Sequence, residues 1–207
     1  FSYAIPFAGA WIITYSLFFG VAFPSLNIYF FFWVTIAGIT QIIFTVLLIT
    51  LFSHRSFAAG TAFSKTEVLQ AAIFEAIILG HIVDIKLGFA ILLGVIAVFL
   101  LSLEKSKLSY RNLITSLFTK QAALGLGSGA FLGFCTVAFR AATDSLESDN
   151  LIMKASITGG ISVLIQTLIM GAWMLRYAKN ELALTFINWK GSSIVGLFGA
   201  ITTACWF

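Results

Sequence analysis

Phe57 to Gly80, FAAGTAFSKTEVLQAAIFEAIILG, is one membrane span long, yet it carries Lys65, Glu67, Gln70 and Glu75 where a lipid-facing helix would carry apolar residues. At a helix centre an ionised Lys or Asp-like group costs about 2.5 to 3.5 kcal/mol on insertion scales. The charges in this stretch therefore call for partners, a cavity or a function. At about 100° per residue, Ser64, Glu67, Gln70, Ala71 and Glu75 fall within about 140° of one helix face. That face can look onto a cavity while Leu69, Ile73 and Ile77 look elsewhere. Lys65 projects about 160° from Glu67 on a regular helix, which rules out a direct pair between them there.

The rest of the chain says what kind of protein surrounds this stretch. Its 207 residues are 60% hydrophobic and only 10% charged, with a mean hydropathy of +1.03, values that fit an integral membrane protein. Long unbroken apolar runs replace the alternation a β-barrel would need. At roughly 20 apolar residues per spanning helix, the expected fold is all-α, a polytopic transmembrane bundle of about seven helices. The expected spans are 1–23, 29–52, 57–80, 87–102, 122–143, 151–177 and 189–207. Residues 104–121, with Glu104, Lys105, Lys107, Arg111 and Lys120, read as a polar linker. Residues 178–188 read as a polar loop. The start at Phe1 without Met, and the stop inside an apolar run, lead to the expectation of an interior piece of a longer protein.

Several function classes find no support. His54 and His81 are isolated, and Cys135 and Cys205 lie in apolar helices where a thiol packs as a hydrophobe, so neither a metal site nor a cofactor is expected. The net charge of +4 is spread over loops, which speaks to topology and not to nucleic acid. No Ser-His-Asp set, catalytic carboxylate pair, Walker or dinucleotide motif is present, and an enzyme is not expected. The partners expected are the lipid bilayer, a small-molecule solute and a coupling proton.

Topology follows from the basic residues. Arg55, Lys105, Lys107, Arg111, Lys120, Arg176, Lys179 and Lys190 fall on one side, against Lys86, Arg140 and Lys154 on the other. Eight against three places the linker side in the cytoplasm.

Comparing the halves on either side of the linker shows a repeat. FFFWVTIAGITQ, from Phe30 to Gln41, has a counterpart in NWKGSSIVGLFGAIT, from Asn188 to Thr202, each an aromatic-led start followed by small residues. In that register, 1–103 is a first repeat lacking its first helix and 122–207 a second repeat lacking its last two. The intact molecule would hold inverted five-helix repeats, 5+5, of the kind from which transporters are built.

The segment Glu67 to Leu101, EVLQAAIFEAIILGHIVDIKLGFAILLGVIAVFLL, then carries a resemblance. With Glu67, Ala71, Ala72, Leu79, Gly80, Gly88 and Gly94 in register, it resembles the drug/metabolite transporter superfamily, and within it the ten-helix EamA-like family. Ala122 to Arg140 is similar to the opening helix of a repeat in that family. Val68 stands where the family usually has proline, and His81 where it has glutamate. The resemblance implies a secondary active transporter, a permease or exporter of amino acids or related metabolites. It further implies alternating access, drive by a proton gradient or by exchange, and residence in the plasma (inner) membrane of a bacterium.

The candidate site residues are Glu67, Gln70, Glu75, Lys65, Gln41 and Gln166. Glu67 can bind a cationic or amine-bearing solute or carry the coupling proton, or instead join helices through its carboxyl. Glu75 can line the same face or reach interfacial water. Lys65 faces substrate carboxylates only if the helix starts late or breaks near Gly60. Gln41 and Gln166, in mid-span, can bond a neighbouring helix or a ligand. Gly125, Gly129 and Gly133 recur every four residues and form a stripe on which another helix backbone can lie. Arg140 and Lys154 have acidic neighbours in Asp144 and Asp149. The different-class reading is a membrane-embedded enzyme or structural subunit whose buried charges pair internally. The charge count makes a topological prediction: a cysteine placed at Ser109 should resist a membrane-impermeant maleimide added to intact cells and react after permeabilisation.

Overall fold

The computed structural model describes residues 2–53, 64–80, 84–86, 88–89, 91–94, 96 and 120–206. A 3₁₀ turn at Ser2–Ala4 leads into α1 (Ile5–Phe19) and α2 (Ile28–Phe52). There follow α3 (Glu67–Ile78), α4 (Lys120–Asp144), α5 (Leu151–Tyr177), α6 (Lys179–Ile187) and α7 (Trp189–Trp206). Among the described residues there is no strand, and one isolated backbone bridge pairs Ser25 with Glu147. Four helical segments, Ser2–Phe19, Ile28–Phe52, Ala122–Asp144 and Leu151–Tyr177, are long and apolar enough to cross a bilayer. The protein is an all-helical membrane protein, and side chains such as Leu17 and Phe18, 80% and 83% exposed, fit contact with lipid.

The helix ends have local causes. Pro6 sits in the first turn of α1, where its missing N–H costs nothing because that group has no helical acceptor. Gly20, at φ 62°, ends α1 in the left-handed region that a side chain disfavours. The first span therefore stops at Phe19, four residues short of the expected 23. Asn27 Oδ1 accepts from the Phe30 amide at 2.8 Å and starts α2. Asn150 does the same for α5, accepting from the Met153 amide at 2.8 Å.

Two segments differ from the sequence reading. Residues 178–188, expected as a loop, are mostly helix α6. Leu182, Ala183 and Leu184 are good helix formers, and the breaks fall at Ala178 (φ −146°) and Asn188 (φ −91°, ψ 29°). The described part of the polar third span is shorter than a membrane. Lys65 and Thr66 form a turn after helical Ser64, α3 has 12 residues, and Gly80 at φ 68° follows it. Residues 57–63 of that span, the 104–119 part of the linker, most of the fourth span, His54 and His81 lie outside the described residues.

The chain divides into two compact units, residues 1–38 with 139–207, and residues 39–138. In the first, Phe30, Val34, Ala142, Leu146, Met153 and Ile157 form the core, with Ile12, Tyr15 and Trp33 packed around it. Polar ties run beside it: Thr143 Oγ1 lies 3.2 Å from Thr158 Oγ1, and Asn27 Nδ2 donates to the Ser145 carbonyl. Gly38 lets α2 approach α5, since a Cβ there would lie 3.5 to 3.6 Å from Gln166, Ile165 and Ser162.

In the second unit the contact between α3 and α4 is backbone on backbone. A Cβ at Gly129 would lie 2.9 Å from the Ser64 carbonyl oxygen, and one at Gly133 would lie 2.9 Å from both the Ala71 amide and the Glu67 carbonyl. Phe74 and Phe134 meet edge to face beside it, with centroids 5.5 Å apart. Because neither partner is a movable side-chain tip, replacing Gly133 by Ala should destabilise the protein by about 1–3 kcal/mol, read as a lower unfolding midpoint in detergent. Gly9→Ala, with nothing within 4 Å of its Cβ, should leave the midpoint unchanged or raised. Equal midpoints for the two variants would show that the helix pair yields easily.

Candidate functional site

The polar residues of the opening stretch are held by α3 and the turn before it. Lys65 lies in that turn, exposed, and α3 begins at Glu67. Lys65 thus lies outside α3, and the regular-helix angle between it and Glu67 does not apply. Glu67 is half-buried, and its own amide and carbonyl lie over Gly129 and Gly133. The face expected to look onto a cavity is thus seated, at Ser64, Glu67, Gln70 and Ala71, on the glycine stripe of α4. Gly125 continues the stripe as a buried residue whose carbonyl accepts from Ser128 Oγ at 2.8 Å.

Gln70 ties the two helices. Its Nε2 donates to Thr66 Oγ1 at 2.8 Å and to the Leu126 carbonyl of α4 at 3.5 Å. Glu75 is half-buried near the end of α3, where its carbonyl accepts from the Leu79 amide at 2.9 Å. Gln41 is half-buried on α2, its carbonyl accepting from Thr45 Oγ1 at 2.8 Å. Lys65, Glu67, Gln70, Glu75 and Gln41 belong to the second unit, and Gln166 to the first. Gln166 is fully buried on α5 and donates from Nε2 to Ser162 Oγ at 3.1 Å. Arg140 Nε lies 3.8 Å from Asp144, with both side chains exposed; such a pair contributes little to stability.

The first unit also holds a cavity of about 570 Å³ between α1, α5 and α7. Its floor is made of small residues, Ala8 on α1, Ala155, Gly159 and Gly160 on α5, and Ala200 on α7. Phe7 and Trp11 supply aromatic walls. Among the described residues the lining carries no charged side chain, and its polar groups are Thr14, Ser156 and the indole of Trp11. Trp11 Nε1 donates to Ser156 Oγ at 2.9 Å, so the indole N–H is satisfied at the wall. None of the sequence candidates lines this cavity. The signal for it was present as the adjacent Gly159-Gly160 pair in mid-helix, together with Ala4, just before α1, and Ala8 four residues on.

Among the described residues no group of three His, Cys, Asp or Glu side chains comes together to hold a metal ion. Neither a family model, nor a curated protein, nor a solved structure matches this chain.

Gln70 offers a direct test of its helix-joining bonds. Gln70→Leu should lose about 0.6 to 1.7 kcal/mol of stability, the range of interhelical hydrogen bonds in membranes. The unfolding midpoint in detergent checks this, and a midpoint equal to that of the parent would reassign the side chain to a role other than joining α3 to α4.

Proposed function

We propose that the protein is a secondary active transporter that moves a small organic metabolite, such as an amino acid or related compound, by alternating access. The observation that carries this reading is the cavity of about 570 Å³ in a unit built from membrane-crossing helices, within the range of about 300–1,000 Å³ in which small molecules bind. Glu67 is the candidate carrier of a coupling proton or of a cationic group, because an acidic residue on a helix in an apolar bundle is a functional candidate by default. The resemblance of Glu67 to Leu101 to the EamA-like family points the same way, and with it the inverted 5+5 repeat and the bacterial inner membrane belong to this proposal; the cytoplasmic linker rests on the count of basic residues alone, against that family's usual topology, which would place it outside.

A second reading, a structural membrane subunit with internally satisfied polar groups, is favoured by the Gln70 bond to the Leu126 carbonyl. Transport separates the two. Reconstituted into liposomes with an imposed proton gradient, the protein should accumulate a labelled amino-acid mixture. Glu67→Gln should reduce this uptake at least tenfold, and Ala8→Leu, which fills the cavity, should raise KM several-fold. Uptake that persists unchanged in both variants removes these residues from the site. A protein folded by size-exclusion chromatography that moves none of these solutes, with or without the gradient, supports the structural reading.

A further inference from the structure

We propose that the turn formed by the end of α5, α6 and the start of α7 is a binding surface for anionic phospholipid headgroups. The charge there is one-sided: between residues 173 and 190 stand Arg176, Lys179 and Lys190 against the single acid Glu181. All three cations are exposed. They flank α6 at both ends, Arg176 and Lys179 before its first turn is complete and Lys190 just after its last residue.

The helix between them is suited to lie at a membrane surface and not to stand in water. Its inner side is set by Leu182 and Thr185, both half-buried, and Tyr3 Oη donates to the Thr185 carbonyl at 3.0 Å. The opposite side presents Leu184 and Ile187, 46% and 71% exposed, with the exposed amide of Asn180 between them. An outward apolar face bordered by cations is the pattern of a helix seated at the boundary between headgroups and acyl chains. Aromatic residues that favour the same depth surround it. Trp173 and Tyr177 stack with centroids 5.9 Å apart, and the Lys190 ammonium lies 5.9 Å from the Trp189 ring centroid. A zwitterionic headgroup offers this surface no net charge to neutralise; an anionic phosphodiester does. By the count of basic residues this turn faces the cytoplasm, where anionic lipids concentrate and each nearby Lys or Arg strengthens association about fivefold.

The test uses the full chain purified in detergent, with native mass spectrometry to count retained lipid after adding phosphatidylglycerol or phosphatidylcholine at equal concentration. Several-fold greater retention of phosphatidylglycerol is expected. The triple variant R176Q/K179Q/K190Q should retain the two lipids equally, and R176K should keep the preference. Unchanged size-exclusion behaviour of the triple variant shows that it is folded, and K179Q alone provides a milder version with a partial loss. Equal retention of the two lipids, or a preference that survives the triple substitution, overturns the proposal. Displacement of phosphatidylglycerol by millimolar inorganic phosphate overturns it as well, because the surface would then be a site for free phosphate and not for a lipid.

Discussion

The second unit depends on two missing Cβ atoms. In a bilayer, helices gain no hydrophobic energy by leaving lipid for one another, so close packing and hydrogen bonds must hold them together. Gly129 and Gly133 bring the α3 backbone into direct contact with α4, near enough that any side chain would collide with a carbonyl or an amide. That closeness places the Gln70 amide within reach of the Leu126 carbonyl. It also decides how a short helix with two carboxylates is retained: the α3 backbone bears the contact, while the Glu67 and Glu75 side chains stay half-buried.

The first unit solves the same problem with side chains. Phe30, Val34, Met153 and Ile157 pack with Ala142 and Leu146, and hydroxyls and amides fill positions that lipid could not satisfy. Thr143 to Thr158 and Asn150 to Tyr15 tie separate segments, and Ser162 with Gln166 bond within α5. Asn27 and Asn150 each perform two tasks, capping a helix and bonding to a second segment. A polar residue at a helix start thus serves both local folding and packing.

How much of this was legible follows from the kind of signal involved. Hydropathy marked α2, α4 and α5 to within a few residues, because each is a long apolar run bounded by turn formers. It misplaced the end of α1, since Gly20 lies inside an apolar run and acts through its backbone angle. It missed α6, whose nine residues are too few for a span and too polar to stand out. The glycine stripe was readable from spacing alone. Its partner was not, because spacing says that a backbone can approach without saying which one does. The angle expected between Lys65 and Glu67 rested on one regular helix through both, and the turn at Lys65 and Thr66 interrupts it. The cavity was hidden for a related reason: small residues on α1, α5 and α7 make a hollow only when three distant parts of the chain meet.

The chemistry of that hollow narrows what it can hold under the transport reading. An amino acid at neutral pH carries an ammonium and a carboxylate, and an isolated ion moved into an apolar site without partners loses far more hydration energy than a few hydroxyls return. Among the described residues the cavity offers Thr14, Ser156 and an indole already engaged with Ser156, and no charged side chain. It is thus matched to the apolar body of a solute, with hydroxyl-sized handles to orient it. A solute with an aromatic or aliphatic body and few charges fits this lining better than a small, fully ionised one.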